Sequence, residues 1–208
     1  MSISATPSIL PPSRRELNKT ATREAIAHAA LNFLRSGNLG SFTVDDVAAA
    51  AGVSRRTFFN YFSSVEAAIA SFTQNYLDGL IAAVQDRPAN EPLLESAQFV
   101  LTHGGTQQDL ALLAEVFALT QDAQLSRFQL QAWDDCSSKI TEVARGQLPA
   151  EADDLYIHTL VGCVIGSCRA AFMVWFLRHG TDISPASIAN LRELLSSTIS
   201  LIRNGFSS

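Results

Sequence analysis

The densest group of chemically useful side chains is the run from Ser54 to Phe62, which holds Arg55, Arg56, Thr57, Phe59, Asn60 and Tyr61. Arginine can donate two parallel hydrogen bonds to O6 and N7 of guanine, and asparagine can read adenine. Thr57 and Tyr61, with Thr43 upstream, carry hydroxyls suited to anchoring phosphates. On a helix Phe58 and Phe62 stand four apart and pack inward. Arg55 with Phe59, and Arg56 with Asn60, form two i, i+4 pairs on the other side. Ser54 opens that helix, so its positive dipole end also faces an anion.

Such a face needs elements that hold it. Thr43 can cap a preceding helix, with Asp46 three residues on. That helix ends at Gly52, which takes a positive φ without a Cβ clash. Val44, Val47 and Val53 supply apolar contacts, and Ala48 to Ala51 are small enough for helix axes to approach. Residues 43–62 therefore have the layout of a helix-turn-helix, whose second helix enters the DNA major groove. Upstream, Ile26, Ala29, Ala30, Phe33 and Leu34 follow helical spacing across residues 20–35.

These residues carry a resemblance. R-x-x-I-x-x-A-A at 23–30, T-V-D-D-V-A-A-A-A-G-V-S at 43–54, T-F-F-N-Y-F at 57–62 and S-x-x-E at 63–66 resemble the TetR family of transcriptional regulators. The specific likeness covers about residues 20–70. It implies a homodimer with an N-terminal DNA-binding domain and a C-terminal domain that binds an effector and dimerises. By motif position, Thr43, Arg55, Arg56, Thr57, Phe59 and Tyr61 match backbone or base contacts of the family. Two positions depart from its pattern. Phe59 stands where the family often has Tyr, and Val65 where it often has Lys, so two phosphate contacts are lost.

Charge agrees with a local nucleic-acid contact. Residues 1–65 carry seven basic and four acidic side chains, net +3; the remainder carries eight and sixteen, net −8. A basic small unit joined to an acidic large one permits contact with a polyanion at one end only. The chain has 208 residues, long enough to bury about 70% of its unfolded surface without disulfides or metals. Hydrophobic residues make up 47% and charged residues 17%, which excludes disorder of the whole chain. The mean hydropathy of +0.14 points to apolar surface hidden by a partner or a ligand.

Glycine and proline punctuate a helical pattern beyond residue 62. Ser63 and Glu66 predict a capping box for a helix through about Val84. Further helices are expected near 93–103, 107–119, 122–146, 152–178 and 185–203, the last with Ser184 as cap and Pro185 as first residue. No segment alternates like a half-buried strand. Residues 1–18, rich in Pro and Ser and without an apolar leader segment, read as a disordered tail. The segment 160–177 is nearly all apolar, but Arg169 at its centre makes bilayer insertion costly by about 2.5–3.5 kcal/mol.

In the larger part, Phe99, Phe117, Phe128, Trp133, Phe172 and Trp175 are the candidates for lining a pocket for an apolar or aromatic effector. Gly162, Gly166 and Ala170 form a small-residue ridge. Ile188, Leu191, Leu195, Ile199 and Ile202 form an apolar stripe on the last helix. Together these predict a four-helix dimer interface, the alternative being that the stripes fill one subunit's core.

Catalytic and metal chemistry find no support. The four histidines are well separated, and there is no Cys/His cluster, Walker loop, dinucleotide fingerprint or G-x-S-x-G. Cys163 and Cys168 diverge by about 140° on a helix, and with Cys136 they suit a reduced, cytoplasmic protein.

The expected architecture is all-α: a tail over 1–18, a helix-turn-helix DNA-binding domain over 19–65, and an effector-binding and dimerisation domain over 66–208. The expected function is a homodimeric, ligand-responsive repressor, released from palindromic double-stranded operator DNA by a small effector. It needs no cofactor or metal, is not an enzyme and does not enter a membrane. Two other readings stay open: a helical small-molecule-binding protein without specific DNA binding, and a thiol-based redox regulator.

Overall fold

A computed structural model describes residues 13–37, 39–121, 123–148 and 153–206. Among these residues all regular structure is helical, as expected. The chain divides into two compact units between Val65 and Glu66.

The first unit holds α1 (Arg14–Ser36), a 3-10 turn (Leu39–Ser41), α2 (Val44–Ala50) and α3 (Arg55–Tyr61). Helix α1 starts earlier than the spacing predicts. Ser13 accepts from the backbone of Glu16, and the Glu16 carboxylate accepts from the backbone N–H of Ser13. This capping box replaces the expected tail over residues 13–18. Residues 1–12, the rest of that tail, lie outside the described residues. The core of the unit is Ile26, Ala30, Leu31, Val47 and Phe58, all with essentially no exposure. Phe33 and Phe42 stack with ring centres 5.1 Å apart and so seal the 3-10 turn.

The second unit comprises α4 (Val65–Gln85) from Glu66 onward, α5 (Leu93–His103), α6 (Gln107–Leu119), α7 (Ala123–Gln147), α8 (Asp154–His179) and α9 (Pro185–Arg203). Thr106 and Asp109 form a full capping box on α6. Ser184 accepts from Ser187 ahead of Pro185 on α9, as the spacing implied. Helix α4 begins at Val65, so Ser63 lies two residues before its first helical residue rather than beside it. Helix α9 packs on α5, α6 and α8, and α7 packs on α8. At their centre Trp175 is fully buried and donates its indole N–H to the hydroxyl of Ser187, 2.8 Å away. That bond satisfies the one polar atom of a large buried ring.

The α9 stripe corrects an expectation. Ile188, Leu191, Leu195 and Ile199 are buried within this single chain. A side chain that its own subunit already covers has no surface left for a partner. Of the proposed interface residues Gly162, Gly166, Ala170, Leu191, Leu195 and Ile199, only the three on α8 are exposed. Nothing lies within 4 Å of where a Cβ would stand on Gly162 or Gly166.

Candidate nucleic-acid interface and an apolar cavity

Helix α3 owes its position to three local devices. Gly52 takes φ +68°, a conformation that costs other L-residues about 1–2 kcal/mol, and turns the chain sharply between α2 and α3. Ser54 caps α3 by accepting from the backbone of Thr57 at 3.0 Å, and its hydroxyl meets that of Thr57 at 2.8 Å. Arg23 of α1 lays its guanidinium 4.3 Å from the centre of the Phe62 ring and donates to the carbonyl of Tyr61. Phe58 and Phe62 are buried, so the two-faced pattern read from the sequence holds.

The opposite face of α3 is open. Arg55, Arg56, Phe59 and Asn60 are exposed, and Thr57 and Tyr61 are half-buried. Arg56 and Asn60 make no side-chain hydrogen bond or ion pair with any described residue, so their donors are free for a base edge. Arg55 is held differently. Its guanidinium pairs with Asp45 of α2 at 2.7 Å and lies 5.4 Å from the Phe59 ring centre. The sequence reading missed both Arg23 and Asp45. Each acts across tens of residues or across a turn, beyond the i, i+4 spacing that periodicity reveals.

Thr43 is placed as a cap. It accepts from the backbone N–H of Asp46, and its hydroxyl donates to the Asp46 carboxylate at 2.7 Å. The Thr43 hydrogen bonds hold the Asp46 carboxyl below its ordinary range. The hydroxyl proton is thus committed within the protein, and a phosphate would have to displace Asp46 to receive it.

The second unit contains an apolar cavity walled by α4, α5, α7 and α8 and by Leu195 of α9. Its volume is about 90 Å³, smaller than the ~150 Å³ that accommodates benzene. Among the described residues no charged side chain lines it. Of the six aromatic candidates, Trp133 and Phe172 line it and four do not. Phe99 is exposed, covered by the Arg87 guanidinium at 3.9 Å and stacked on His103 at 4.5 Å. Phe117 packs against Phe172 and Phe176 in the core, and Trp175 is sealed there. Phe128 is half-buried, with the Arg127 guanidinium 5.3 Å from its ring centre.

Most of the wall consists of Leu, Ile and Val, among them Leu80, Ile81, Val100 and Ile140. Those residues went unnoticed because an aliphatic side chain at helical spacing reads as core whether or not a space lies beside it. Tyr76 was missed as well, although a phenol on the apolar stripe of α4 was a visible signal. Trp133 and Ile165 also border a shallow outer groove that holds Arg127 and Arg169, so these two side chains separate the cavity from that groove. Cys136 and Cys168 line the cavity, while Cys163 is exposed. Burial pushes the Cys136 thiol up to about 11 and the Cys168 thiol up to about 12. Both are therefore neutral thiols near pH 7, the unreactive form.

The model of the bacterial regulatory proteins of the tetR family matches residues 26–72, which run from the second half of α1 into the first part of α4. Residues 26–72 are thus a DNA-binding segment of the TetR type. The HTH-type transcriptional regulator TcmR of Streptomyces glaucescens is 24% identical over 188 residues, covering 86% of this chain and 83% of the relative. The TetR-family repressor FadR of Thermus thermophilus, solved in complex with lauroyl-CoA, superposes with a TM-score of 0.53 at 24% identity. That match covers 89% of this chain and 95% of FadR. A TetR-family regulator from Mesorhizobium loti gives 0.56 at 14% identity, covering 93% and 98%. At such identities the superpositions establish a shared fold. The first unit is thus a helix-turn-helix domain of the kind that TetR-family transcriptional regulators carry.

Proposed function

We propose that the protein is a homodimeric repressor that reads a palindromic operator with α3 and releases it when a small apolar molecule occupies the cavity. The open face of α3 supports the first half. Arg56 and Asn60 are the base readers, Arg55 joins them once it leaves Asp45, Phe59 touches sugar or a thymine methyl, and Thr57 and Tyr61 hold phosphate. Thr43 serves as the cap that keeps α2 in place. The observation that carries the second half is the cavity, whose wall is aliphatic and aromatic apart from the thiols of Cys136 and Cys168.

Dimerisation belongs to the exposed face of α8. Leu155, Gly162, Gly166, Ala170, Met173 and Leu177 recur along it at intervals of three, four or seven, and all are exposed. This helix is long and apolar enough to cross a bilayer, but Ile157, Val161, Phe172 and Trp175 bury its other face in its own unit. A second copy of α8, approached closely over the glycines, covers the rest. The FadR repressor was solved in complex with lauroyl-CoA, and only the acyl chain of that molecule matches an apolar cavity. The protein acts in the cytoplasm, where its DNA lies.

The cavity also provides the route to the DNA. Helix α4 lines it with Tyr76 to Val84 and begins at Val65, where the first unit ends. An effector moves the equilibrium between DNA-competent and released forms only by its difference in affinity for the two. The test is selection of bound duplexes from random DNA, followed by release screening with apolar compounds. Recovery of a palindrome that such a compound releases supports the proposal. Recovery of no preferred sequence contradicts it and leaves a helical binding protein.

A further inference from the structure

Helix α1 runs well past the core that it helps to build. Its buried residues are Ile26, Ala27, Ala29, Ala30, Leu31 and Leu34, whereas residues 13–21 are exposed. At about 100° per residue, Arg15, Lys19 and Arg23 follow one another a turn apart on the same side of the helix as that buried set. The apolar inner face therefore gives way to cations where the core ends. Arg23 marks the junction. It donates to the carbonyl of Tyr61 at 3.2 Å and covers the Phe62 ring, both at the C-terminal end of α3. Lys19 and Arg15 continue the line about 6 and 12 Å further along the axis. This side of α1 thus overhangs the end of α3 as a cationic ledge.

Arg15 and Lys19 make no hydrogen bond or ion pair with a described residue. Glu16, the acid of this stretch, is occupied at the helix end, where its carboxylate accepts from the backbone N–H of Ser13 at 2.7 Å. An inner face built to pack on protein would carry on the apolar stripe. Two free cations one turn apart instead fit a row of negative charges, and duplex DNA presents one for every ~1.7 Å of its axis.

We propose that the overhanging part of α1 is a second DNA contact, in which Arg15 and Lys19 bind phosphates of the duplex that α3 reads. This rests on the reading of α3 as the DNA-contacting helix. Phosphate contacts carry no sequence information, so the ledge adds affinity equally on every sequence while α3 supplies the preference. Arg14 is an internal control. It adjoins Arg15 in the chain and carries the same charge, but it stands about 180° around the helix from Arg23.

The test is the salt dependence of binding, measured by fluorescence anisotropy on the full chain with a mixed-sequence duplex and with the selected operator. Each phosphate contact adds about 0.9 to the slope of log K against log[salt]. Arg15→Ala and Lys19→Ala should each flatten the slope by about that much per bound subunit, on both duplexes alike. Between about 50 and 200 mM salt the double variant should therefore lose roughly 12-fold less affinity per bound subunit than the wild type. Arg14→Ala should leave the slope nearly unchanged. Melting temperature should hold in every variant, because none of these side chains has a bonded partner to lose. An unchanged slope in the double variant overturns the proposal, and a change of oligomeric state in its place would give the ledge to a second copy. Equal flattening by Arg14→Ala also overturns it, since charge alone and not the face would then matter. A changed ratio of operator to mixed-sequence affinity would make these residues base readers and overturns the phosphate contact. No sequence preference in the wild type, with the flattening intact, leaves the ledge standing and removes the base-reading role of α3 instead.

Discussion

The guanidinium of Arg55 lies 2.7 Å from the carboxylate of Asp45, so the first arginine of the recognition helix is ion-paired to the first turn of the helix before it. Both side chains are more than half exposed, and an exposed pair of this kind is worth about 0–1 kcal/mol. Guanine or phosphate can therefore displace Asp45 at little cost. The pair offsets only a small part of the attraction between Arg55 and any polyanion.

Asp45→Asn should release that restraint. Affinity for a random duplex should rise by up to about 5-fold, the equivalent of ~1 kcal/mol. The preference for the selected operator should fall, because the non-specific state gains more. Titrations of operator and scrambled duplexes across a range of salt check this. A variant that loses affinity for both would show that Asp45 positions Arg55 rather than restrains it.

Arg56 and Asn60 have no side-chain hydrogen-bond or ion-pair partner among the described residues. Arg56→Ala and Asn60→Ala should each cost about 1–3 kcal/mol of discrimination against the wrong base, with little change in thermal stability. Thr43→Val should do the reverse. Loss of the α2 cap should lower stability by about 1 kcal/mol, seen in denaturant unfolding, with the operator preference unchanged. A Thr43→Val protein of normal stability but altered salt slope would return Thr43 to the phosphate contacts.

The contrast between α3 and the larger unit shows what spacing reveals. Capping residues mark helix ends locally, so Thr43, Ser54 and Ser184 placed α2, α3 and α9 closely from the sequence. The inward face of α3 was legible for the same reason, since Phe58 and Phe62 are one turn apart. Periodicity says which face of a helix is apolar and is silent on what covers it. Leu191, Leu195 and Ile199 therefore read as a seam between subunits when they fill their own core. The cavity was illegible because its Leu, Ile and Val residues differ from core residues only by the space beside them.

The two faces of the α8–α9 pair should separate under mutation. Leu177 is 77% exposed, so Leu177→Asp should leave the isolated subunit folded while weakening the dimer. Leu191 is fully buried, and Leu191→Ala should cost about 2–5 kcal/mol of stability. Sedimentation with circular dichroism distinguishes the two. A Leu177→Asp protein that stays dimeric at micromolar concentration would move the interface off this face of α8.

Acid should loosen the connection between α4 and α5. The Arg87 guanidinium forks onto the Glu91 carboxylate, and Ser96 donates to it as well, which together hold the Glu91 carboxyl down at about 2. A carboxyl whose folded pKa is depressed contributes stability above its unfolded value, and loses it as pH falls toward the folded one. The contribution should be whole above about pH 4.5 and fade toward pH 2. Melting temperature followed over that window should fall less steeply for Glu91→Gln than for the wild type. Parallel curves would mean that the fork does not contribute.

The most direct test of the whole account is one comparison of affinities. Fluorescence anisotropy at about 0.15 M salt, with a selected palindromic duplex and a scrambled duplex of equal length and composition, measures whether α3 reads sequence. Specific regulators bind their sites about 10³-fold or more above non-specific DNA, and that ratio is the expected result. Equal affinity for the two duplexes would contradict the account, because the open face of α3 would then bind charge alone.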